Sequence, residues 1–454
     1  MSDMRLTAFD VADRLGLRRP TRNMIIRHVV TDSRQVQENT LFAAIVGERV
    51  DGHDFIPALD EKFENVMFLC SKKTGARHDE LICNDVLRAL GDVAALHLSM
   101  LPAKRIAVTG SVGKTTTKEM IACALAGKYA VQKSLANRNN ELGMPLTAFT
   151  VDESHGAAIF EMGMRGKGQI DYLARRVRPQ IGVITNIGVS HIELLGSREN
   201  ICAAKMELGN YIASDGVLLL NGDEPLLRAA AKKTPARVRF FGIDSDADYR
   251  AKDIVLNEHS VHYTLCCKEG EYSITLPVGG KHMVYNSLVA FAVANELNIP
   301  AEITVKQLAS YQDGGLRQNI YKEADLVIFD DTYNAAPESM QASLSVMSAY
   351  PNRKIAVLAD MLELGDYAEQ AHREVGQACK ETKTDILISF GNFAQTMVNG
   401  FGDTDNGYAL PDRGAALEKL CEVARTGDII LFKGSHAMQC DVLLQDFIKR
   451  WKSK

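Results

Sequence analysis

No two cysteines in this chain are spaced C-x-x-C, although there are nine of them and two, Cys266 and Cys267, are adjacent. A scattered set without that spacing speaks against a zinc site or a disulfide framework. It points to free thiols in a reducing compartment. No run of about 18 apolar residues occurs, so no membrane-spanning helix is expected. The first ten residues, M-S-D-M-R-L-T-A-F-D, lack the apolar core of a secretory signal, which makes the cytoplasm the expected location. A net charge of −5 leaves no broad basic surface, so nucleic acid is not an expected partner. Repeats of solenoid period and low-complexity tracts are also missing. What remains is an ordinary globular composition spread over 454 residues, too long for one core and suited to two or three domains.

The most informative stretch is K-R-I-A-V-T-G-S-V-G-K-T-T-T-K-E-M at 104–120. Arg105 to Thr109 reads as a buried strand, Gly110 to Gly113 as a tight loop, and Lys114 opens a helix. Strand, glycine loop and helix together make a phosphate site credible. Glycines let backbone N–H groups turn toward phosphate oxygens, and the helix N-terminus adds partial positive charge. Lys114 can reach the outer phosphates, and the Thr115 hydroxyl can ligate Mg²⁺. The spacing is shorter than the common G-x-x-x-x-G-K-[ST], so the loop is a variant.

The rest of the chain reads as α/β throughout. Residues 1–82 form a small module in which His28–Asp32 and Thr40–Ile45 are strand-like. Ser33 and Arg34 follow the first strand, and Gly47, Asp51 and His53 follow the second. Each group suits either a turn or a sugar or phosphate contact. Residues 83–313 hold apolar strands at 157–160, 181–184 and 217–220 spaced by helices, then alternating antiparallel strands over 248–277 and a helix from Tyr285 to Leu297. That pattern predicts a mostly parallel sheet, with ligands beyond the strands' carboxyl ends. Glu161, Asn186, His191 and Asn221 fall there, beside the phosphate loop. After a linker near 312–315, residues 314–454 give a third, doubly wound unit with strands at 326–329, 355–358, 386–390 and 429–432.

Thr115 and Glu161 are sensible oxygen ligands for Mg²⁺. His191 suits a second metal, a positioned water, or a capping role. Lys205, in the helical A-K-M-E-L segment, reads on spacing alone as a solvated surface residue. Lys433, Gly434 and Ser435 after the last strand could bind a carboxylate or another anion.

Taken in order, T-G-S-V-G-K-T-T (109–116), N-R-N-N-E-L-G-M-P-L-T (137–147), E-M-G-M (161–164), T-N-I-G-V-S-H (185–191), A-K-M-E (204–207), K-H-M-V-Y-N (281–286), D-D-T-Y-N-A-A-P-E-S-M (330–340) and L-A-D-M-L-E-L-G (358–365) resemble the Mur ligase family. These are ATP-dependent amide ligases of the cell-wall precursor peptide. The resemblance implies a small UDP-binding domain, a central P-loop ATPase-like domain and a Rossmann-like C-terminal domain. It implies ATP and Mg²⁺ as cofactors, UDP-MurNAc-tripeptide and D-Ala-D-Ala as substrates, a monomer, and an acyl-phosphate intermediate.

Carried over by motif, Thr109, Gly110, Ser111, Val112, Gly113, Lys114, Thr115 and Thr116 would hold the ATP phosphates. His282 and Asn286 would lie near adenine, Asp331 near the ribose, and Arg317 on the γ-phosphate. Thr115, Glu161, His191 and Lys205 would serve the metals, Lys205 as a carbamate, so the resemblance reverses its solvated reading. Lys114, Lys205, His191 and Arg317 would be catalytic. Ser33, Arg34, Gly47, Asp51 and His53 would take the UDP end, Asn139 and Asn140 the muramoyl-peptide, and Asn334, Lys433 and Ser435 the dipeptide. Met283 departs from a frequent Asn and weakens any base contact there. Two alternatives are another amino-acid ligase of this type and a non-catalytic nucleotide-binding scaffold. A GTPase would carry N-K-x-D, which is absent, and a degenerate scaffold would have lost Lys114, Glu161 or Lys205.

Overall fold

The computed structural model describes residues 4, 6–135, 137–312 and 319–453. Arg317 and most of the expected linker, at 313–318, lie outside the described residues. Among the described residues the strands form four sheets.

Near the N-terminus, His28–Val30, Thr40–Ala43, Val66–Cys70 and Glu80–Ile82 pair in parallel. A short antiparallel pair, Leu6–Thr7 with Ile25–Ile26, shares their core. The helix Val86–Ser99 starts at Asp85, whose carboxylate accepts from the Arg88 N–H. Its first half, through Val93, packs into this core, whereas Ala94 and Leu98 pack into the next. One helix therefore joins two cores.

The large sheet runs, in spatial order, Gly270–Leu276, Val261–Cys267, Tyr249–Leu256, Val238–Gly242, Val217–Asn221, Ile181–Ile184, Lys104–Thr109, Ala157–Glu161 and Val131–Lys133. Neighbours are parallel except in the two hairpins at the beginning of that order. The physical reason for its apolar runs is burial of both faces. Ile106 and Val108 point to the layer of Met120, Ile121, Leu288 and Phe291, whereas Ala107 points to that of Ile170, Leu173 and Ile201. The period of two is present in the fold but hidden in the sequence, because both faces are apolar.

The third sheet runs Asn319–Glu323, Leu326–Asp330, Ile429–Lys433, Lys354–Ala359, Ile386–Phe390 and Gly407–Leu410, parallel apart from the first strand. Phe329, Leu358 and Leu431 face one core, and Ile328, Val357 and Phe432 the other.

Some elements differ from expectation. The helix read as Tyr285–Leu297 is Lys281–Glu296, beginning directly after Gly280 at φ 103°. Val131–Lys133, Val238–Gly242, Asn319–Glu323 and Gly407–Leu410 were not expected as strands. Each is short and only partly buried, and three close a sheet edge, so no apolar run announces them. The strand expected at 28–32 ends at Val30, where Asp32 caps a short 3-10 turn by accepting from the Arg34 N–H at 3.0 Å. Among the described residues no helix is long and apolar enough to cross a membrane.

Candidate active site

The loop after Lys104–Thr109 turns on two glycines at positive φ, Gly110 (153°) and Gly113 (80°). At Gly110 a Cβ would lie 1.8 Å from Thr185 Oγ1, so no side chain fits there. The neighbouring strand end clamps the loop. The Val112 N–H donates to Asn186 Oδ1 (3.0 Å), and Asn186 Nδ2 and the Thr185 hydroxyl donate to the Val112 carbonyl (3.1 and 2.7 Å). Asn221 Nδ2 donates to the Thr185 carbonyl (3.0 Å), and the Gly188 N–H to Ser111 Oγ (2.8 Å). Asn186 and Asn221 thus serve the loop's shape, although sequence position alone made them look like ligand contacts.

Gly113 precedes the helix Lys114–Leu125, whose start has no side-chain cap, so the positive end of the helix dipole lies at the loop. Lys114 Nζ donates to the Gly110 and Ser111 carbonyls at 2.8 and 3.1 Å, over the loop's mouth. The Thr115 hydroxyl donates to Glu161 Oε2 at 2.9 Å, and Asn139 Nδ2 to Oε1 at 3.0 Å. Glu161 is buried, and the fully buried Lys118 has its Nζ 3.6 Å from the same Oε2. Lys118 also donates to the Ser134 carbonyl at 2.7 Å, and Ser134 Oγ accepts from the Glu161 N–H at 3.1 Å. Sequence reasoning missed Lys118 and Ser134. A lysine one turn after Lys114 reads as solvated, and nothing local in the sequence marks Ser134 as its partner.

Lys205 is 3% exposed, and its ammonium nitrogen has no hydrogen-bond or ion-pair partner among the described residues. Burial, aided by the Lys114 charge, holds its pKa well below the usual lysine range. The solvated reading fails here, because Ile201, Cys202 and Ala204 carry this side of the helix into the sheet's core. Burial also lowers the His191 pKa, against the opposing pull of Glu363. His191 Nδ1 pairs with the Glu363 carboxylate, which comes from the loop after a strand of the third sheet.

Further along, the third sheet contributes Asp331. Lys433 Nζ donates to Asp331 Oδ2 at 2.6 Å and to the Asn334 carbonyl at 3.1 Å, and the Ser343 hydroxyl donates to the same Oδ2 at 2.6 Å. Lys433 and Asp331, expected to hold different substrates, are one buried ion pair with side chains 2% and 10% exposed. Ser435 Oγ accepts from the Leu362 N–H at 2.9 Å and so holds a loop. Lys433→Met would leave Asp331 buried without its counter-charge. The expected loss of stability is about 3–5 kcal/mol, read by denaturant unfolding, and a loss under about 1 kcal/mol would contradict this picture of the pair. Burial lowers the pKa of His282 to about 4, with Asp331 pulling it upward. Asn286 Oδ1 accepts from the Thr117 hydroxyl at 2.9 Å, which pins one helix to the other rather than leaving the amide oxygen for a base.

These groups open onto one cleft of about 1280 Å³ between the large and third sheets. Its walls include the 110–117 loop and helix start, Asn139, Asn140, His191, Lys205, His282, Asn286, Asp331, Asn334, Lys433 and Ser435. Glu161 lies behind the wall, reached through Thr115 and Asn139. Asn140 is engaged as a cap, its Oδ1 accepting from the Gly143 N–H at 2.8 Å.

The five residues expected at the UDP end are not on this cleft. Arg34 is exposed and pairs with Asp32 at 2.7 Å, with Ser33 beside it in the same turn. The Gly47 N–H closes a turn onto the Val50 carbonyl at 2.9 Å. Asp51 accepts from His53 Nδ1 (2.6 Å) and Lys72 Nζ (2.9 Å), while His53 Nε2 accepts from the Ser71 N–H (3.0 Å). Both His53 ring nitrogens therefore have protein partners, so His53 builds the turn rather than facing a ligand.

Three family models match the chain. They are the Mur ligase middle domain over residues 108–294, the Mur ligase glutamate ligase domain over 316–436, and the Mur ligase family catalytic domain over 25–94. A Bacillus subtilis UDP-N-acetylmuramoyl-tripeptide–D-alanyl-D-alanine ligase is 36% identical over 433 residues, covering 94% of each chain. A crystal structure of MurF from Acinetobacter baumannii superposes with a TM-score of 0.90 at 30% identity, covering 99% of this chain and 100% of that one. The MurF ligase of Thermotoga maritima, solved with ADP, gives 0.84 at 27% identity over 95% of this chain and all of its own.

Proposed function

The chain belongs to the Mur ligase family, and we propose that it joins D-Ala-D-Ala to the terminal carboxylate of UDP-N-acetylmuramoyl-tripeptide while ATP is converted to ADP and phosphate. It is an ATP-dependent ligase of peptidoglycan precursor synthesis. The observation that carries the reading is the shared cleft, in which the phosphate loop and buried Lys205 face Asp331 and Asn334 of the third sheet. At about 1280 Å³ the cleft exceeds the roughly 300–1,000 Å³ of a single-ligand pocket.

The chemistry follows from charge. A carboxylate oxygen attacks the γ-phosphorus, the bond to the β-bridging oxygen breaks, and ADP leaves an acyl phosphate. The dipeptide amine then attacks the acyl carbon, loses a proton, and phosphate departs. Two anions meet in the first step, so the protein must supply positive charge where charge accumulates. Lys114, the loop N–H groups and the Lys114–Leu125 helix start do so. Holding the reactants in near-attack geometry contributes up to ~7–11 kcal/mol more.

The donor set beside the loop fits Mg²⁺, because a hydroxyl and a carboxylate, both hard oxygens, lie 2.9 Å apart at Thr115 and Glu161. Bound there, the ion would neutralise phosphate charge that otherwise repels the incoming carboxylate. Lys205 is set up to react with CO₂. Burial favours the uncharged amine, which would form an N–C bond to CO₂ and release a proton, and the resulting carbamate would be an anion able to help hold a second ion with His191.

We assign residues 1–82 to the UDP end of the substrate through Ser33 and Arg34, 83–313 to ATP, and 314–454 to the dipeptide. Asn334 is the best-placed dipeptide contact, because Lys433 and Ser435 already have protein partners. In this reading the enzyme acts in the cytoplasm as a monomer. Phosphate release from ATP tests the reading. It should need the tripeptide nucleotide and D-Ala-D-Ala together. Release with single amino acids in place of the dipeptide would assign the chain to another reaction of the family.

A further inference from the structure

Glu363 stands out because the reaction scheme does not use it. It belongs to the loop after Lys354–Ala359, which the third sheet holds at several points. The Met361 N–H donates to His372 Nε2 (2.9 Å), the Leu362 N–H to Ser435 Oγ (2.9 Å), and the Ser435 N–H to the Asp360 carbonyl (3.1 Å). From this fixed loop the Glu363 side chain crosses to the large sheet's side of the cleft and takes His191 Nδ1.

Two further contacts tie this loop to the large sheet's side of the cleft. The Glu193 N–H donates to the Glu363 carbonyl at 3.4 Å, and Arg165 Nη2 lies 3.9 Å from Glu363 Oε1. Gly365 also approaches so closely that a Cβ there would lie 3.2 Å from the Glu193 Cβ. Both partners have left-handed backbone, Glu363 at φ 62° and His191 at φ 63°. Non-glycine residues adopt that conformation at a cost, and such residues persist where the surroundings fix them. The two strained residues meet each other across the cleft.

The chemical consequence concerns the imidazole. A carboxylate on Nδ1 holds the proton there and leaves the Nε2 lone pair to act. His191 lines the cleft with Lys114 and Lys205, so the atom left free belongs to the phosphate side of the site.

We propose that Glu363 is a positioning residue for ligation, fixing the His191 ring from the third sheet's loop so that the ring is aligned only when the third sheet is docked on the large one. The inference rests on the ligase reading above. Its test uses the full-length protein with Glu363→Ala and Glu363→Gln. Long-range proton–nitrogen correlation spectra of histidine-labelled protein, with His191 assigned by its loss in His191→Gln, should show the Nδ1–H form in the wild type. Glu363→Ala should give a mixture of tautomers and a kcat about 10- to 100-fold lower, with the KM for ATP changed less than about threefold. Glu363→Gln keeps an acceptor for Nδ1–H, so it should restore the tautomer and part of kcat, which a role in folding alone would not give. An Nδ1–H form that persists in Glu363→Ala, or a lost tautomer with unchanged kcat, would overturn the proposal. A wild type that fails to ligate would overturn the ligase reading instead, while the spectra still report on the contact.

Discussion

Lys205→Ala is expected to lower ligation by on the order of 10²–10³-fold without lowering the unfolding temperature. The two halves of this result have one cause. An ammonium buried to 3% exposure without a partner among the described residues is a burden on the fold, so its removal does not destabilise. Function needs the amine because burial favours its uncharged form, and an uncharged amine takes up CO₂. In the proposed mechanism the variant would lack the carbamate, an anion that would face the metals, and added formate or acetate should recover part of the rate by occupying its place. Arginine at 205 should not recover it, since a guanidinium stays charged and forms no carbamate. Activity of Lys205→Ala within a few-fold of wild type, in buffer free of short carboxylates, would remove Lys205 from the mechanism.

Lys114→Ala should cost a similar factor in kcat, on the order of 10²–10³ or about 2.7–4 kcal/mol of barrier. Its ammonium sits over the loop mouth at 2.8 and 3.1 Å from two loop carbonyls, where the outer phosphates would approach. A charge that meets the phosphoryl group as it transfers stabilises the transition state more than the bound nucleotide. The loss should therefore appear mainly in kcat at saturating ATP, measured by phosphate release with both substrates present. An increase in the KM for ATP alone would make Lys114 a binding residue only.

The parts of this molecule that were legible in its sequence are those whose signal is local. The 104–120 stretch announced a strand, a glycine loop and a helix because steric demand and hydrogen-bond geometry act within ten residues. The hairpins over 249–276 showed alternation because their outer faces are wet. Lys118 and Glu363 were invisible for the opposite reason. Each is defined by a partner far along the chain, 43 positions away at Glu161 and 172 at His191. Asn186 and Asn140 occupied ligand-like positions, yet their oxygens complete the loop and a helix cap. Polar residues past a strand end serve the turn or the ligand, and their spacing does not separate the two uses. Lys205 is the sharpest case. Helical spacing alone read it as solvated, and only the motif order, and then its burial, placed it on the cleft.

The central claim is that the tripeptide's own carboxylate is phosphorylated before the peptide bond forms. Tripeptide nucleotide labelled with heavy oxygen in that carboxylate, turned over with ATP and D-Ala-D-Ala, tests it most directly by mass spectrometry of both products. The mechanism predicts that each phosphate released carries one labelled oxygen and each new amide retains the other. Unlabelled phosphate, with both labelled oxygens still on the unreacted tripeptide, would show that ATP is cleaved without activating the carboxylate and would contradict the account.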